Sequence, residues 1–280
     1  MLLNNRIIWS DNGVLKDLTI ELNNPYSGSR VVDFVAAEDA IYIGSDLPFN
    51  HRYFEMSVVN TLDSSISVSV WTGAQWTAAV NIIDNTSLSD ASLGQNGIIS
   101  WVPDKDSASW NIQQDSDDIP DLQGIHIYDL YWARLTFSDD FNPLTALSFI
   151  GHKFSQDEDL AGLYPELNTT ASKSMFSTGK TNWNAQHILA AEMVIKDLRR
   201  KNVIWSRNQI INWELFTNAA VHYVAIIAFR AFGDDYQDNF AQAVKDYSIA
   251  MNQLKFEVDL TENGRLDEVE RRLQVGILSR

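Results

Sequence analysis

A stretch near the end of the sequence has the residue order of a calcium-binding loop. In the twelve-residue EF-hand loop, oxygen ligands occupy positions one, three, five and twelve, and a glycine at position six allows a sharp turn. Asp259, Asn263 and Glu270 fall at positions one, five and twelve, Gly264 falls at six, and Thr261 is a weak ligand at three. The alternative is a glycine turn followed by the acidic start of a helix. We favour the turn because short motifs often match by chance.

Histidine could also supply metal ligands or acid–base chemistry. No two of the five histidines stand at metal-ligand spacing within one element; they are His51, His126, His152, His187 and His222. His222 lies on the apolar stripe of a predicted helix, which favours a core or interface role. The sequence has no nucleophile elbow, phosphate-binding glycine loop or HExxH helix. Cysteine is absent, which excludes thiolate chemistry. We predict no catalytic, cofactor-binding or metal-binding residue and no enzyme.

Tryptophan is unusually frequent, with nine in the chain. Six of them lie in the first half, at positions 9, 71, 76, 101, 110 and 132. Aromatic side chains on a sheet can stack on sugars, but they can also fill a core. Trp71 and Trp101 end alternating strands on the apolar phase, which favours the core. Trp76 and Trp110 lie near predicted loops and are the better candidates for exposure.

The negative charge is concentrated in the first half. The net charge is -16, and up to Phe154 we count 7 basic and 20 acidic residues, which gives −13. An acidic surface repels phosphate backbones, so we expect this half not to bind nucleic acid. The most apolar stretch, residues 219–229, is about eleven residues long and too short to span a bilayer. We expect no secretory signal and no membrane contact, and the absence of cysteine fits a protein made in a reducing cytosol.

Hydrophobic periodicity divides the chain into two parts. Residues 1–155 contain many short strands separated by turn residues, which predicts an antiparallel β-sandwich of jelly-roll or immunoglobulin-like type. The clearest signal is residues 65–71, where serine and apolar residues alternate before a turn at 72–75 and a partner strand at 76–83. Residues 156–183 have little periodicity and predict a linker or arm.

Residues 184–280 have helical periodicity and predict a helical bundle, so the fold class is α+β. Helices are expected over residues 183–201 and 209–230, followed by a third helix that begins after Gly233. The third helix carries a seam for packing on another helix, at Phe240, Val244, Tyr247, Met251 and Leu254. A final short helix is expected over residues 267–278.

The tryptophan spacing resembles a β-sandwich module of tailed-bacteriophage virion proteins. The matching segments are a hairpin WTGAQW at residues 71–76, a strand GIISWVP at 97–103, Trp110, and a strand YWARL at 131–135. The resemblance covers about residues 55–150, and the long acidic insert between Trp110 and Tyr131 departs from it. The pattern consists of core and turn residues, so it implies a fold more directly than a role.

The helical part resembles the small head-completion, or adaptor, proteins of tailed phages, without a motif specific to them. Those proteins form a ring of about twelve copies below the portal, with contacts between neighbouring subunits. The resemblance implies a virion protein made in the host cytoplasm, a head-to-tail connector whose partners are the portal and the tail or neck proteins. The basic residues Arg199, Arg200, Lys201 and Arg207 could face the portal or packaged DNA in the channel, or could be ordinary helix-end charges. The alternative function is a tail or baseplate protein whose β-sandwich binds host carbohydrate.

Overall fold

The computed structural model describes residues 5–102, 110–270 and 274–276. The chain is α+β, with antiparallel sheets mostly in the N-terminal part and helices in the C-terminal part. It divides into a β-rich unit, Met1–Gly151 with Asp259–Arg265, and a helical unit, His152–Val258 with Leu266–Arg280. From the sequence we predicted a single domain boundary after residue 155. In the structure the chain also returns to the β-rich unit for the short segment Asp259–Arg265.

The secondary structure consists of short strands followed by longer helices. The described strands are β1 (Asn5–Asp11), β2 (Val14–Asp17), β3 (Arg30–Val31), β4 (Ala40–Ser45), β5 (His51–Val58), β6 (Ile66–Trp71), β7 (Trp76–Ala78), β8 (Val80–Asp84), β9 (Gly97–Val102), β10 (Gln113–Asp115), β11 (Tyr128–Phe137), β12 (Ala146–Gly151), β13 (Lys255–Glu257) and β14 (Gln274–Gly276). The described α-helices are α1 (Thr19–Leu22), α2 (Asp157–Leu163), α3 (Thr170–Phe176), α4 (Asn184–Arg200), α5 (Thr217–Phe232) and α6 (Gln237–Gln253).

Two antiparallel sheets form the β-rich unit. The first has the strand order β2-β1-β4-β11-β6-β7, and β10 also pairs with β11. The second has the order β3-β12-β5-β9-β8. Side chains of both sheets join one hydrophobic cluster, to which the first sheet contributes Ile43 and Val70 and the second contributes Phe54, Ile99 and Trp101. Burial of this apolar surface is the main stabilising term for the unit.

The strand predicted at residues 76–83 is two strands in the structure. β7 pairs with β6 in the first sheet, whereas β8 pairs with β9 in the second. The prediction of one continuous partner strand was therefore wrong. The change of sheet occurs at Ala79, which is buried, and Asn81 follows with φ +52°. Asparagine tolerates this left-handed conformation better than most residues, which makes the bend inexpensive.

The insert between Trp110 and Tyr131 covers a second, smaller cluster. Ile119 and Leu122 from the insert are fully buried against Tyr42, Trp71 and Trp132. The insert contains β10 and two single 3-10 turns, Ser116–Asp118 and Pro120–Leu122. It is acidic in sequence but provides two apolar anchors, so it packs as part of the unit.

The helical unit is built around α5. The expected helix at 209–230 begins later, at Thr217, after 3-10 turns at Arg207–Gln209 and Trp213–Phe216, and it ends at Gly233 with φ +88°. One side of α5 is lined by small buried residues, including Ala220, Ala225 and Ala228, which allow close packing. Both α4 and α6 pack on α5.

Residues 156–182, which we call the strap, are folded rather than a linker. They form α2, a 3-10 turn at Pro165–Asn168, and α3. Leu160 and Leu167 are fully buried in the core of the helical unit, and Trp183 directly after the strap is too. The prediction of a linker was wrong because the two buried leucines, Leu160 and Leu167, are too few to produce a helical hydrophobic period.

The C-terminal segment differs from the expected helix at residues 267–278. Residues 274–276 form β14, which pairs antiparallel with β13. Residues 271–273 and 277–280 of the expected helix lie outside the described residues, as does Pro103 of the strand motif. The ladder partner of β14 is nearly twenty residues away in sequence, so local periodicity could not reveal it.

Candidate assembly surface and a buried polar cluster

The first part of the loop with calcium-binding register, Asp259–Arg265, belongs to the β-rich unit and forms an internally hydrogen-bonded turn. Asp259 is 1% exposed, and its carboxylate accepts hydrogen bonds from the backbone N–H groups of Asn263 at 3.2 Å and Gly264 at 2.7 Å. Gly264 has φ +80°, a conformation that glycine adopts without strain. Across residues 5–102, 110–270 and 274–276, no group of three or more metal-ligating side chains is placed to hold an ion. These hydrogen bonds fit the turn interpretation.

The helical unit contains a buried serine–histidine–aspartate cluster that the sequence analysis missed. The Ser155 hydroxyl lies 2.7 Å from Nδ1 of His187, and the Asp157 carboxylate lies 3.3 Å from Nε2 of the same ring. Asp157 also accepts the backbone N–H of Trp183 at 3.0 Å and lies 3.0 Å from Nζ of Lys173. Because Asp157 faces Nε2, the neutral ring carries its proton there, and Nδ1 accepts the hydrogen bond that Ser155 donates.

The charge states of the cluster follow from burial and from its contacts. Burial alone would raise the pKa of Asp157, but the interactions with His187, Lys173 and the Trp183 N–H hold it well below its usual range. Burial lowers the pKa of His187; Asp157 and Asp159 oppose this effect, and Lys153 reinforces it. At neutral pH the cluster therefore contains a carboxylate, a neutral imidazole and a hydroxyl.

This arrangement has the order of a nucleophile, a base and an orienting carboxylate. A nucleophile must be reached by its substrate, and here Ser155 is 5% exposed and His187 is 0% exposed. Nδ1 of His187 is already occupied by the Ser155 hydroxyl, and Asp157 is already occupied by Nε2 of His187 and the Trp183 N–H. The geometry therefore supports a structural role better than a catalytic one.

The serine–histidine–aspartate cluster brings together residues that lie in two different predicted segments of the sequence. Ser155 and Asp157 fall in a stretch with little periodicity, and His187 falls on the apolar side of α4. The one available signal was a histidine among buried helix positions, because a buried imidazole requires polar partners. Nothing local indicates which residues those partners are.

The tryptophans have different surroundings from one another. Trp101 is 1% exposed, Trp132 is 0% exposed and Trp110 is 7% exposed, so Trp110 is not the exposed residue that the sequence suggested. Trp76 is partly exposed, and its indole N–H donates to Asp121 at 2.8 Å. The Arg134 guanidinium carbon lies 5.1 Å from the centre of the Trp76 ring, so part of one ring face is covered.

An apolar groove of about 490 Å³ lies on the helical unit. Its lining comes from Phe176 of α3, Leu189 and Met193 of α4, and Tyr223, Ile226 and Ile227 of α5, with Ala231. Arg230 is the charged residue in this lining. Leu189 is 39% exposed in the chain. Contiguous apolar surface of this kind marks a contact site more often than scattered exposed residues do.

The segment Trp213–Phe232 also has the length and composition of a membrane span. It contains 20 residues, its most apolar stretch has a mean hydropathy of 1.4, and 44% of that stretch is buried within the chain. Buried core helices often have the same length and apolar composition, and one side of α5 is packed in the helical core while the other lines the groove. The expectation of no membrane contact remains a prediction.

The basic residues at the end of α4 are only partly available to a partner. Arg207 pairs with Glu192 through contacts of 2.7 and 3.3 Å, and its side chain is 14% exposed. Arg200 lies 3.6 Å from Asp197 but is 74% exposed, and Lys201 is exposed. Arg207 therefore stabilises the fold, whereas Arg200 and Lys201 face outward.

Comparison with known proteins adds no relative. No protein family, no curated protein and no solved structure matches this chain.

Proposed function

We propose that this chain is a structural virion protein that joins the capsid portal to the tail as a subunit of an oligomeric ring, the head-to-tail connector of a tailed bacteriophage. The observation that carries the proposal is the apolar groove on the helical unit. The motif resemblances supply the class of protein. Portal and tail or neck proteins are the proposed partners, and Arg200 and Lys201 are candidates for contact with packaged DNA.

The groove supports assembly for a physical reason. Leu189, Met193, Ile226 and Ile227 lie beside one another around it, so covering the groove would remove apolar surface from water. A ring subunit contacts its neighbours through two different surfaces, so one copy's groove meets another patch of the next copy. Such a contact closes into a ring when the rotation between copies allows it.

The proposed architecture for the β-rich unit is a jelly-roll or immunoglobulin-like sandwich that decorates the outside of the ring. Its support is that both sheets contribute to one hydrophobic cluster and that Trp71 and Trp101 of the phage-like motifs are buried. The helices of the helical unit would then form the ring as a bundle. Native mass spectrometry of the purified chain tests the assembly: we expect a closed oligomer of roughly twelve copies.

The second candidate function is carbohydrate binding by a tail or baseplate protein. Trp76 favours it, since the ring is partly exposed and has Asp121, Arg134 and Tyr42 beside it. Sugar sites combine an aromatic face with polar groups of this kind. Arg134 competes for the ring, and the second tryptophan suggested by the sequence, Trp110, is buried. This candidate therefore ranks below the ring adaptor.

The carbohydrate candidate has a direct test. On a glycan array we expect no binding above background, and no difference between the wild-type chain and Trp76→Ala. Removal of a stacking ring would weaken a true sugar site by about 1–3 kcal/mol, or roughly five- to 150-fold. If the wild-type chain bound a specific glycan and Trp76→Ala abolished that binding, the carbohydrate-binding function would be favoured over the adaptor function.

A further inference from the structure

The chain contains three asparagine–glycine pairs, at Asn12–Gly13, Asn96–Gly97 and Asn263–Gly264. Glycine has no side chain, so its backbone nitrogen can approach Cγ of the preceding asparagine. Attack forms a succinimide ring: the N–Cγ bond forms, the bond from Cγ to the side-chain nitrogen breaks, and that nitrogen leaves as ammonia with the glycine N–H proton. Water then opens the ring to aspartate or isoaspartate. In the unfolded chain we expect comparable deamidation at the three pairs.

The fold restrains the pair Asn96–Gly97. The Asn96 side-chain oxygen accepts the backbone N–H of Met56 at 2.7 Å, which fixes the amide that would be attacked. Gly97 begins β9 and pairs with Phe54 of β5. A Cβ built on Gly97 would lie 2.2 Å from the Asn85 carbonyl oxygen, so the backbone there is closely packed. The glycine nitrogen therefore cannot turn towards Cγ unless the ladder between β5 and β9 opens.

The pair Asn263–Gly264 is restrained at both reacting groups. The N–H of Gly264 donates to the buried Asp259 carboxylate at 2.7 Å, and the Asn263 side-chain oxygen accepts the backbone N–H of Arg265 at 3.0 Å. Gly264 itself is buried. Attack would require the nitrogen to leave its acceptor and the amide to leave its donor, so the turn would have to unfold first.

The pair Asn12–Gly13 is the exposed tip of the hairpin between β1 and β2. Asp11 pairs with Val14, and the two residues between them have φ +48° and +76°, as in a type I′ turn. A Cβ built on Gly13 would meet no atom within 4 Å. The backbone N–H of Asn12 donates to Asp39 at 2.8 Å. Among the described residues, neither the Asn12 side chain nor the N–H of Gly13 makes a hydrogen bond.

We infer that Asn12 is a site of selective spontaneous deamidation in the folded protein, while Asn96 and Asn263 keep their amides. The turn has to open before the Gly13 nitrogen reaches Cγ. Opening an exposed hairpin tip costs much less free energy than opening a central ladder. We expect Asn12 in the folded chain to react within about tenfold of its rate in the unfolded chain, and the other two sites to be slowed at least about 100-fold.

The reaction changes the edge of the first sheet. It adds a negative charge beside Asp11 and Asp39, and isoaspartate adds a methylene group to the main chain of a turn that fits two residues. β2 lies at the end of the strand order, next to β1, so its position depends on this turn. Hydrogen exchange in β2 should become faster in the isoaspartate fraction, with β4 as the unchanged control. Equal exchange in β2 before and after the reaction would contradict this effect.

Incubation of the purified chain in mildly alkaline buffer, with and without urea, tests the inference. Peptide mass mapping measures the conversion of amide to acid at each pair, and fragmentation distinguishes isoaspartate from aspartate. In urea we expect comparable conversion at all three pairs, whereas the folded chain should convert Asn12 first by at least about tenfold. Protection of Asn12 as strong as that of Asn96, or conversion of Asn96 or Asn263 as fast as that of Asn12 in the folded chain, overturns the inference.

Asn12→Gln is the matched control variant. Glutamine keeps the amide, but its extra methylene makes the corresponding ring six-membered and slower to form. The folded variant should keep its amide at the hairpin tip and retain the exchange rates of β2 after the same incubation. Should the variant fail to fold, the comparison of the wild-type chain with and without urea decides. The inference does not depend on the proposed function.

Discussion

Replacing Trp101 by alanine should lower the free energy of unfolding of the β-rich unit by about 3–5 kcal/mol. Trp101 is 1% exposed and lies edge-on to Phe49 at 5.4 Å between ring centres. Removing the indole leaves a cavity in the cluster to which both sheets contribute. Urea-dependent hydrogen exchange of β5 and β9 measures this loss, because it reports on the β-rich unit alone.

Trp76→Ala is the matched control for Trp101→Ala. The same substitution is made in the same unit, but Trp76 is partly exposed and loses mainly its contacts with Tyr42, Trp71 and Asp121. We expect a loss of roughly 1–2 kcal/mol. Equal losses in the two variants would contradict the assignment of Trp101 to the core.

Leu189→Glu should prevent the chain from assembling with itself. Leu189 lines the groove and is 39% exposed in the single chain, so a glutamate there is hydrated before assembly and the fold survives. In the assembly the carboxylate would be covered by a neighbouring copy. Burial of a charge without a partner costs several kcal/mol, so the association should weaken by at least about 100-fold. Native mass spectrometry over a dilution series measures this change.

Leu215→Glu controls for the effect of a new charge. Leu215 is 46% exposed, belongs to the same unit and does not line the groove. The Leu215→Glu variant should assemble like the wild-type chain. Both Leu189→Glu and Leu215→Glu should give the wild-type circular dichroism spectrum. If Leu189→Glu assembled normally, the groove would not be the contact surface, although the ring itself could still form through another face.

The hydrophobic pattern of the sequence correctly predicted those strands and helices whose apolar periodicity lies within a single element. The alternation through Val68 and Val70 identified β6, and the apolar stripes identified α4 and the body of α5. The change of sheet at Ala79 was not predictable, because residues on both sides of it have strand character. β14 was assigned to a helix because its pairing with β13 depends on residues far away in the sequence.

The polar cluster shows the same limit for functional groups. Ser155 and Asp157 reach His187 because the strap folds back and its base closes between Asp157 and Trp183. Two buried leucines, Leu160 and Leu167, determine that folding, and they are too few to form a period. The sequence therefore identified which residue types were present but not which of them meet.

The position of the chain in intact phage particles tests the central proposal most directly. Electron cryo-microscopy of particles, with the chain located by a bound antibody fragment, measures it. The adaptor proposal predicts a single ring of roughly twelve copies at the junction between the portal and the tail. Density at the distal tip of the tail, or no density in the particle, would contradict it.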